Sequence, residues 1–194
     1  MYGLRFLREF LRDPAAVGAI TPSSHALGRA VCEAAGVDAA DVTVEFGPGT
    51  GTITEVILEH LKPDSTFFAM EVSEDFVCTL AEHLPDVEVI HDSAEHTAKY
   101  LAEKNLEGCQ AIVSGLPWAM FDPDLQDCLL DGVMESLTPN GRFATYMYVQ
   151  SPFLKKGRRF KAELERRFAR TGTHRIVWAN LPPAVVFYGE KGDE

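Results

Sequence analysis

The chain reads as one α/β domain: a seven-stranded, mostly parallel sheet that closes with an antiparallel hairpin and carries helices on both faces. Three observations predict this. Short apolar strands alternate with amphipathic helical stretches, the pattern of successive βαβ units. The first apolar strand, Val42-Thr43-Val44-Glu45-Phe46, runs straight into glycines at 47, 49 and 51 and then a helical stretch. The last two strands are separated only by Asn180-Leu181-Pro182-Pro183, too short for a helical crossover, so they must pair antiparallel.

Taken in order, residues 2–12 put Leu4, Leu7, Phe10 and Leu11 with Phe6 on one arc of a helix and Arg5, Arg8 and Arg12 on the other, before Asp13-Pro14 ends it. Twelve residues span roughly 18 Å, so this amphipathic helix cannot cross a bilayer; it suits either the headgroup layer or a lid over a site. Apolar periodicity and capping residues predict further helices over 24–35, 53–61, 74–83, 94–104, 125–137 and 159–170. Strands fall near 42–46, 67–72, 87–91, 110–114, 142–149, 175–179 and 184–188.

The carboxyl ends of the first four strands hold the chemistry. Gly47, Gly49 and Gly51 let the main chain turn tightly and leave room for a ligand to approach it. The second strand ends in Glu71, twenty residues beyond Gly51, where a carboxylate can accept ribose hydroxyls. The third ends at Asp92, and the fourth, Ala111-Ile112-Val113-Ser114, runs into Gly115-Leu116-Pro117-Trp118. Any single terminal acid is an ordinary helix cap; a series of such ends along one sheet edge is a nucleoside-cofactor site. The spacing Gly-x-Gly-x-Gly, with Thr at 52, departs from the Gly-x-Gly-x-x-Gly fingerprint of nicotinamide enzymes.

Composition narrows the class. With 194 residues, 46% of them hydrophobic, and no linker or repeat, the expectation is a single domain over 1–194, with its cofactor core at 42–114. Cys32, Cys78, Cys109 and Cys128 form no Cys-x-x-Cys pair and the six histidines no metal-ligand spacing, so reduced cytosolic thiols and no structural metal are expected. No apolar run suits a transmembrane helix, and the arginine-bearing start is unlike a signal peptide. A net charge of −11 argues against a general nucleic-acid binder. Yet nine of the eighteen basic residues lie between Lys155 and Arg175. With Phe160, Leu164 and Phe168 facing the sheet, Lys161, Arg166, Arg167 and Arg170 are expected to face solvent, either as a solvated face or as a patch for anionic lipid.

Together the Glu-Phe-Gly-Pro-Gly-Thr-Gly run from Glu45, the acids Glu71 and Asp92, the Ser114–Trp118 turn and the closing hairpin resemble a Rossmann-like class I methyltransferase dependent on S-adenosylmethionine (SAM), with S-adenosylhomocysteine (SAH) as product. Within that superfamily, Gly18-Ala19-Ile20-Thr21-Pro22-Ser23-Ser24, Gly157-Arg158-Arg159-Phe160 and Trp178-Ala179-Asn180-Leu181-Pro182-Pro183-Ala184 resemble the bacterial phospholipid N-methyltransferases, which methylate phosphatidylethanolamine or, in related members, ornithine lipids. The resemblance implies that Gly47, Gly49 and Gly51 underlie the methionyl part of SAM, that Glu45 holds its amino group, and that Glu71 takes the ribose hydroxyls. It further implies that Asp92, Ser93 and Ala94 read the adenine and that Ser114 and Gly115 border the sulfonium.

On the acceptor side the resemblance implies a lipid amine, phosphatidylethanolamine first and ornithine lipid as the alternative. The enzyme is then expected as a monomer on the cytoplasmic face of a membrane, with anionic lipids as further partners and no nucleic acid. Tyr146 and Tyr148 are candidates to take or relay the amine's proton, with solvent an equal alternative and strand packing the plain one. Trp118 is a candidate to face an ammonium through its indole, against ordinary packing under a loop. Ser23, Ser24 and Arg175 are candidates for the phosphate or headgroup. The competing resemblance is to ribosomal RNA adenine dimethyltransferases, whose Asn-Leu-Pro-Tyr turn holds the adenine amine through the Asn amide. Here Gly115 stands in the Asn place and has no side chain to do so.

Overall fold

The computed structural model describes residues 24–193. The amphipathic helix expected over 2–12 and the substrate candidate Ser23 lie outside the described residues. Helix α1 (His25–Ala35) opens on Ser24, whose Oγ accepts the Leu27 N–H at 3.2 Å, and stops at Gly36 in the left-handed region. A 3₁₀ turn (Val37–Ala39) leads to β1 (Val42–Phe46), α2 (Thr52–His60), β2 (Thr66–Met70), α3 (Glu74–His83) and β3 (Val89–Ile90). A second 3₁₀ turn (Ala94–His96) precedes α4 (Thr97–Glu103), β4 (Cys109–Ser114), α5 (Pro123–Ser136) and β5 (Leu137–Tyr148). A third (Ser151–Phe153) precedes α6 (Lys155–Arg167), β6 (Arg170–Val177) and β7 (Ala184–Glu190).

The seven strands form one sheet in the order β3-β2-β1-β4-β5-β7-β6. The first five in that order pair in parallel, and β7 pairs antiparallel with both β5 and β6. From β1 the chain steps outward to β2 and β3, then returns to β4 on the other side of β1. The topological switch therefore lies between β1 and β4, where open α/β sheets place their ligands, beyond the strand carboxyl ends.

Alternation along the strands splits the core. Val44, Phe46, Ile112, Phe143 and Phe187 pack on one face with Leu125, Leu129 and Val133 of α5 and Phe160 and Leu164 of α6. Ala111, Val113, Ala144 and Val186 pack on the other with Leu27, Ala30 and Val31 of α1 and Val56 and Ile57 of α2. Helices thus cover both faces.

Three expected elements shift by four residues or more. The helix expected over 159–170 runs Lys155–Arg167, the strand expected at 175–179 begins at Arg170, and the strand expected near 142–149 begins at Leu137. Phe168 explains the first: it keeps the four-residue apolar spacing of Phe160 and Leu164 but lies beyond the last turn, with extended backbone, stacked on Phe143 at 6.1 Å. The second follows because β6 is an edge strand, largely exposed from Arg170 to Ile176, so it carries little of the apolar alternation that identifies a strand.

Candidate cofactor and acceptor site

Glu45 is fully buried on the α1–α2 face of β1. Its Oε2 accepts a hydrogen bond from Thr54 Oγ1 of α2 at 2.7 Å, while Oε1 has no protein partner. Burial pushes its pKa up to about 8, against the Thr54 hydrogen bond, and the nearby Glu71 carboxylate adds to the rise. A buried carboxylate with one unmatched oxygen fits a cationic ligand group that restores its charge. Thr54 was not foreseen: it stands in the first turn of α2, and sequence alone does not show which face of that turn meets the strand.

The loop between β1 and α2 supplies the cradle. Gly49 has φ 58°, and a Cβ built on it would meet no heavy atom within 4 Å, so a ligand can reach its main chain. Gly47 is different: its φ is 67° and a Cβ would lie 2.6 Å from Leu116 Cδ2, so here the glycine serves close packing of the β1 and β4 loops. Gly51 caps α2 without any side-chain hydrogen bond, leaving the N–H groups of that first turn to a ligand. These features fit the methionyl end of SAM.

Glu71 directly follows β2 and is almost wholly buried. Its Oε1 accepts the N–H groups of Val72 (2.8 Å) and Ser73 (2.9 Å), and Oε2 accepts that of Gly49 at 3.2 Å. Burial raises its pKa in spite of these three donors. The Gly49 contact ties the glycine loop to the second acid. Asp92 follows β3; its Oδ2 accepts from Tyr100 OH at 2.7 Å, and its Oδ1 accepts the Ser93 N–H at 2.7 Å and lies 3.0 Å from His96 Nδ1. Burial works to raise its pKa, but those three hydrogen bonds outweigh it and hold the carboxyl below its usual range. The Ser93 N–H is therefore committed to Asp92, and Ser93 and Ala94 are buried at the start of the 3₁₀ turn.

At the end of β4 the structure corrects one expectation, that for Trp118. The Ser114 side chain turns into the core, where Oγ accepts from Trp118 Nε1 at 3.0 Å and from the Leu116 N–H at 3.3 Å. Trp118 has no accessible surface: it stacks on Phe160 at 4.6 Å and meets Phe121 and Phe143 edge-on. Its indole is a packing element beneath the loop, closed to any ammonium. Gly115 does lie at the switch point. Its N–H donates to Phe46 O at 2.8 Å, and a Cβ would stand 2.7 Å from Gly47 O, so any side chain here forces the two loops apart.

The other acceptor-side candidates divide. Tyr146 and Tyr148 project from β5 on the face of Glu45, edge-to-face with each other at 6.4 Å. Burial raises the Tyr148 phenol above its ordinary value. The Ser24 hydroxyl is the cap of α1 and its N–H donates to Asn180 Oδ1 at 2.9 Å, which makes it a structural residue. Arg175 pairs with Glu33 of α1, so its charge is already matched. Asn180 was missed in the sequence; buried, it joins the start of α1 to the hairpin loop through Ser24 and donates to Pro182 O at 2.8 Å. Its partner lies 156 positions away, a separation no local pattern reveals.

The same fold occurs in solved methyltransferases. The O-methyltransferase from Bacillus cereus in complex with SAH has a TM-score of 0.66 at 14% identity, over 98% of this chain and 91% of that one. The O-methyltransferase of tomaymycin synthesis from Streptomyces achromogenes, in complex with SAM, has a TM-score of 0.66 at 15% identity, over 98% and 90%. A sheet of this order, with a glycine cradle after β1 and acids after β2 and β3, defines a class I SAM-dependent methyltransferase. Over 186 residues, 94% of this chain and 93% of the relative, the sequence is 30% identical to the ornithine lipid N-methyltransferase of Singulisphaera acidiphila. The chain belongs to that family. It is also 30% identical to ribosomal RNA small subunit methyltransferase A of Staphylococcus aureus, over 53% of this chain and 37% of that protein. No family model matches it.

Proposed function

We propose that the chain transfers methyl groups from SAM to the primary amine of a lipid headgroup, with ornithine lipid as the acceptor. The supporting observation is the reach of the likeness to the ornithine lipid enzyme: at 94% of the chain it includes the acceptor side as well as the cofactor loops. The likeness to the ribosomal RNA enzyme stops at 53%, and the contact of Gly115 with Gly47 O leaves no room for an adenine-holding Asn. Phosphatidylethanolamine, first in the sequence reading, becomes the second acceptor, because the relative that spans the chain is named for ornithine lipid.

In this reading Glu45 Oε1 takes the methionyl ammonium, with the Gly47–Gly51 loop and the first turn of α2 around it. Glu71 has about four acceptor positions, three of them used by backbone donors, and offers the remainder to the ribose. Asp92, held by Tyr100 and His96, stands at the adenine end with Ser93 and Ala94, and the main chain at Ser114 and Gly115 borders the transfer point. SAM, when bound, supplies a methyl group already activated by its sulfonium. What the chain adds is alignment, which alone lowers a barrier by several kcal/mol. An alkylamine with pKa about 10 is about a thousandfold more protonated than free at pH 7; the proton leaves to solvent, with Tyr146 and Tyr148 on β5 as the side chains that would relay it. Among the described residues no helix is long and apolar enough to cross a membrane.

Transfer of labelled methyl from SAM to vesicles of ornithine lipid, vesicles of phosphatidylethanolamine and ribosomal RNA, run side by side, tests the proposal. Ornithine lipid is expected to be the preferred acceptor. Transfer to RNA alone overturns the reading.

A further inference from the structure

Among the described residues the most exposed large apolar side chains gather in two loops: Phe153 (78% exposed) and Leu154 (54%) follow β5, and Trp178 (73%) and Leu181 (73%) lie in the β6–β7 hairpin loop. The loops are stitched together, since Val149 at the exit of β5 donates its N–H to Pro183 O at 3.0 Å. Lys156 Nζ extends the seam to the β4 loop, donating to Met120 O at 2.8 Å, and Met120 is exposed as well. All of these positions follow the carboxyl ends of β4, β5 and β6, at the sheet edge that carries the glycine cradle. Burying such residues in a core would stabilise the fold; leaving them together on one rim points to a partner that supplies the apolar surface.

Charge decides which partner. The chain has 29 acidic residues, yet between Gly141 and Gly189 only Glu163 and Glu165 are acidic, and both lie in the later part of α6. Lys155, Lys156 and Arg158 border Phe153 and Leu154, and among the described residues none of the three has an acid as partner. A second copy of this chain, at net charge −11, would be repelled over most of its surface. An exposed tryptophan among prolines with lysines at its flank suits the headgroup layer of an anionic bilayer, where an indole sits at the polar boundary and ammonium groups meet lipid phosphates.

We propose that the rim formed by Phe153, Leu154, Trp178 and Leu181, with Lys155 and Lys156, is the surface by which the protein docks on an anionic bilayer and sets its cofactor edge against the headgroups. The inference rests on the lipid-acceptor reading above and adds the place of contact. Trp178 reports on it directly, because the chain's other tryptophan, Trp118, is fully buried.

The full chain is mixed with vesicles of phosphatidylcholine, with and without phosphatidylglycerol, while tryptophan emission and quenching by brominated lipids are recorded. Binding is expected to need phosphatidylglycerol, to shift the Trp178 emission to the blue and to expose it to bromines near the headgroups. Trp178→Ser with Leu181→Ser is expected to lower vesicle partitioning about tenfold or more and to leave the thermal midpoint and the methylation of a monomeric short-chain lipid amine as in the wild type. Vesicle binding with a silent Trp178, or a chain that dimerises through Trp178 and ignores vesicles, overturns the proposal. Failure of the acceptor reading is separate: the same vesicles with ornithine lipid added, if they shift Trp178 but receive no methyl groups, retain the docking surface and remove ornithine lipid as substrate.

Discussion

Glu45 shows how one residue can be tuned by where its strand places it. Its folded-state pKa of about 8 stands above the ordinary 4.5 because of burial. The folded chain then keeps a proton that the unfolded chain releases, so Glu45's contribution to stability is complete below pH 4.5 and is lost as pH rises toward 8. In the proposed role a cationic ammonium at Oε1 reverses this preference and expels the proton. SAM affinity of the wild type should therefore climb with pH below 8, by up to about tenfold per unit, with a proton released on binding. Calorimetry in buffers of different ionisation enthalpy reads that proton directly. Glu45→Gln should abolish the release, bind SAM more weakly near pH 8, and gain stability relative to the wild type as pH rises from 4.5 to 8. A wild type that binds SAM without releasing a proton at pH 6 to 7, about one to two units below the Glu45 pKa of about 8, removes Glu45 from the ammonium.

At the level of elements, the β4–α5 turn separates what a sequence shows from what it hides. Ser-Gly-Leu-Pro-Trp marked the turn correctly, and Gly115 sits at the switch point as a loop glycine should. The direction of its side chains was not legible. Ser114 has the parity of Ile112 on β4, and both point to the α5–α6 face; the fate of Trp118 depended on Phe143 and Phe160, contributed by β5 and α6. An aromatic in a loop near a site is therefore ambiguous until its neighbours are known. The basic run of α6 hides the same information. Arg167 lies against Asp127, Asp131 and Glu163, Arg159 against Asp127 and Gln126, Arg166 against Glu163 and Arg170 against Glu190. Two of the four acids, Asp127 and Asp131, come from α5 and Glu190 comes from β7, so a face that reads as cationic in sequence is neutralised largely by packing. For Trp118 the consequence is measurable. Trp118→Phe should leave kcat and KM near wild type and lower the unfolding free energy by about 1–3 kcal/mol, from lost contacts and the lost bond to Ser114. Equilibrium urea unfolding and steady-state kinetics on the same variant decide it. A large rise in KM for the lipid with unchanged stability would return the indole to the acceptor site.

For the molecule as a whole, topology was the most legible layer, because strand alternation, the glycine loop and the short hairpin connection are local signals. Long-range pairings such as Ser24 with Asn180 and Arg175 with Glu33 were not, and they decide which charges remain free. That distinction fixes how the protein should respond to salt. Arg166, Arg167 and Arg170 carry matched charges, whereas Lys155 and Lys156 adjoin the apolar rim without an acid as partner among the described residues. Each free cation near an anionic surface contributes about 1 kcal/mol at moderate ionic strength and is screened as salt rises. Lys155→Gln with Lys156→Gln should therefore weaken partitioning onto phosphatidylglycerol vesicles about thirtyfold at low salt and flatten its salt dependence. Arg166→Gln with Arg170→Gln should leave both near wild type, because Glu163 keeps Arg167 and Glu190 keeps Arg142 as partners, and neither arginine removed belongs to the rim. Sedimentation with the vesicles across a salt series distinguishes the two pairs. The reverse ranking would place the contact on the outer face of α6, and a salt-independent wild type would assign the binding to apolar insertion alone, with residues 2–12 as the next segment to substitute.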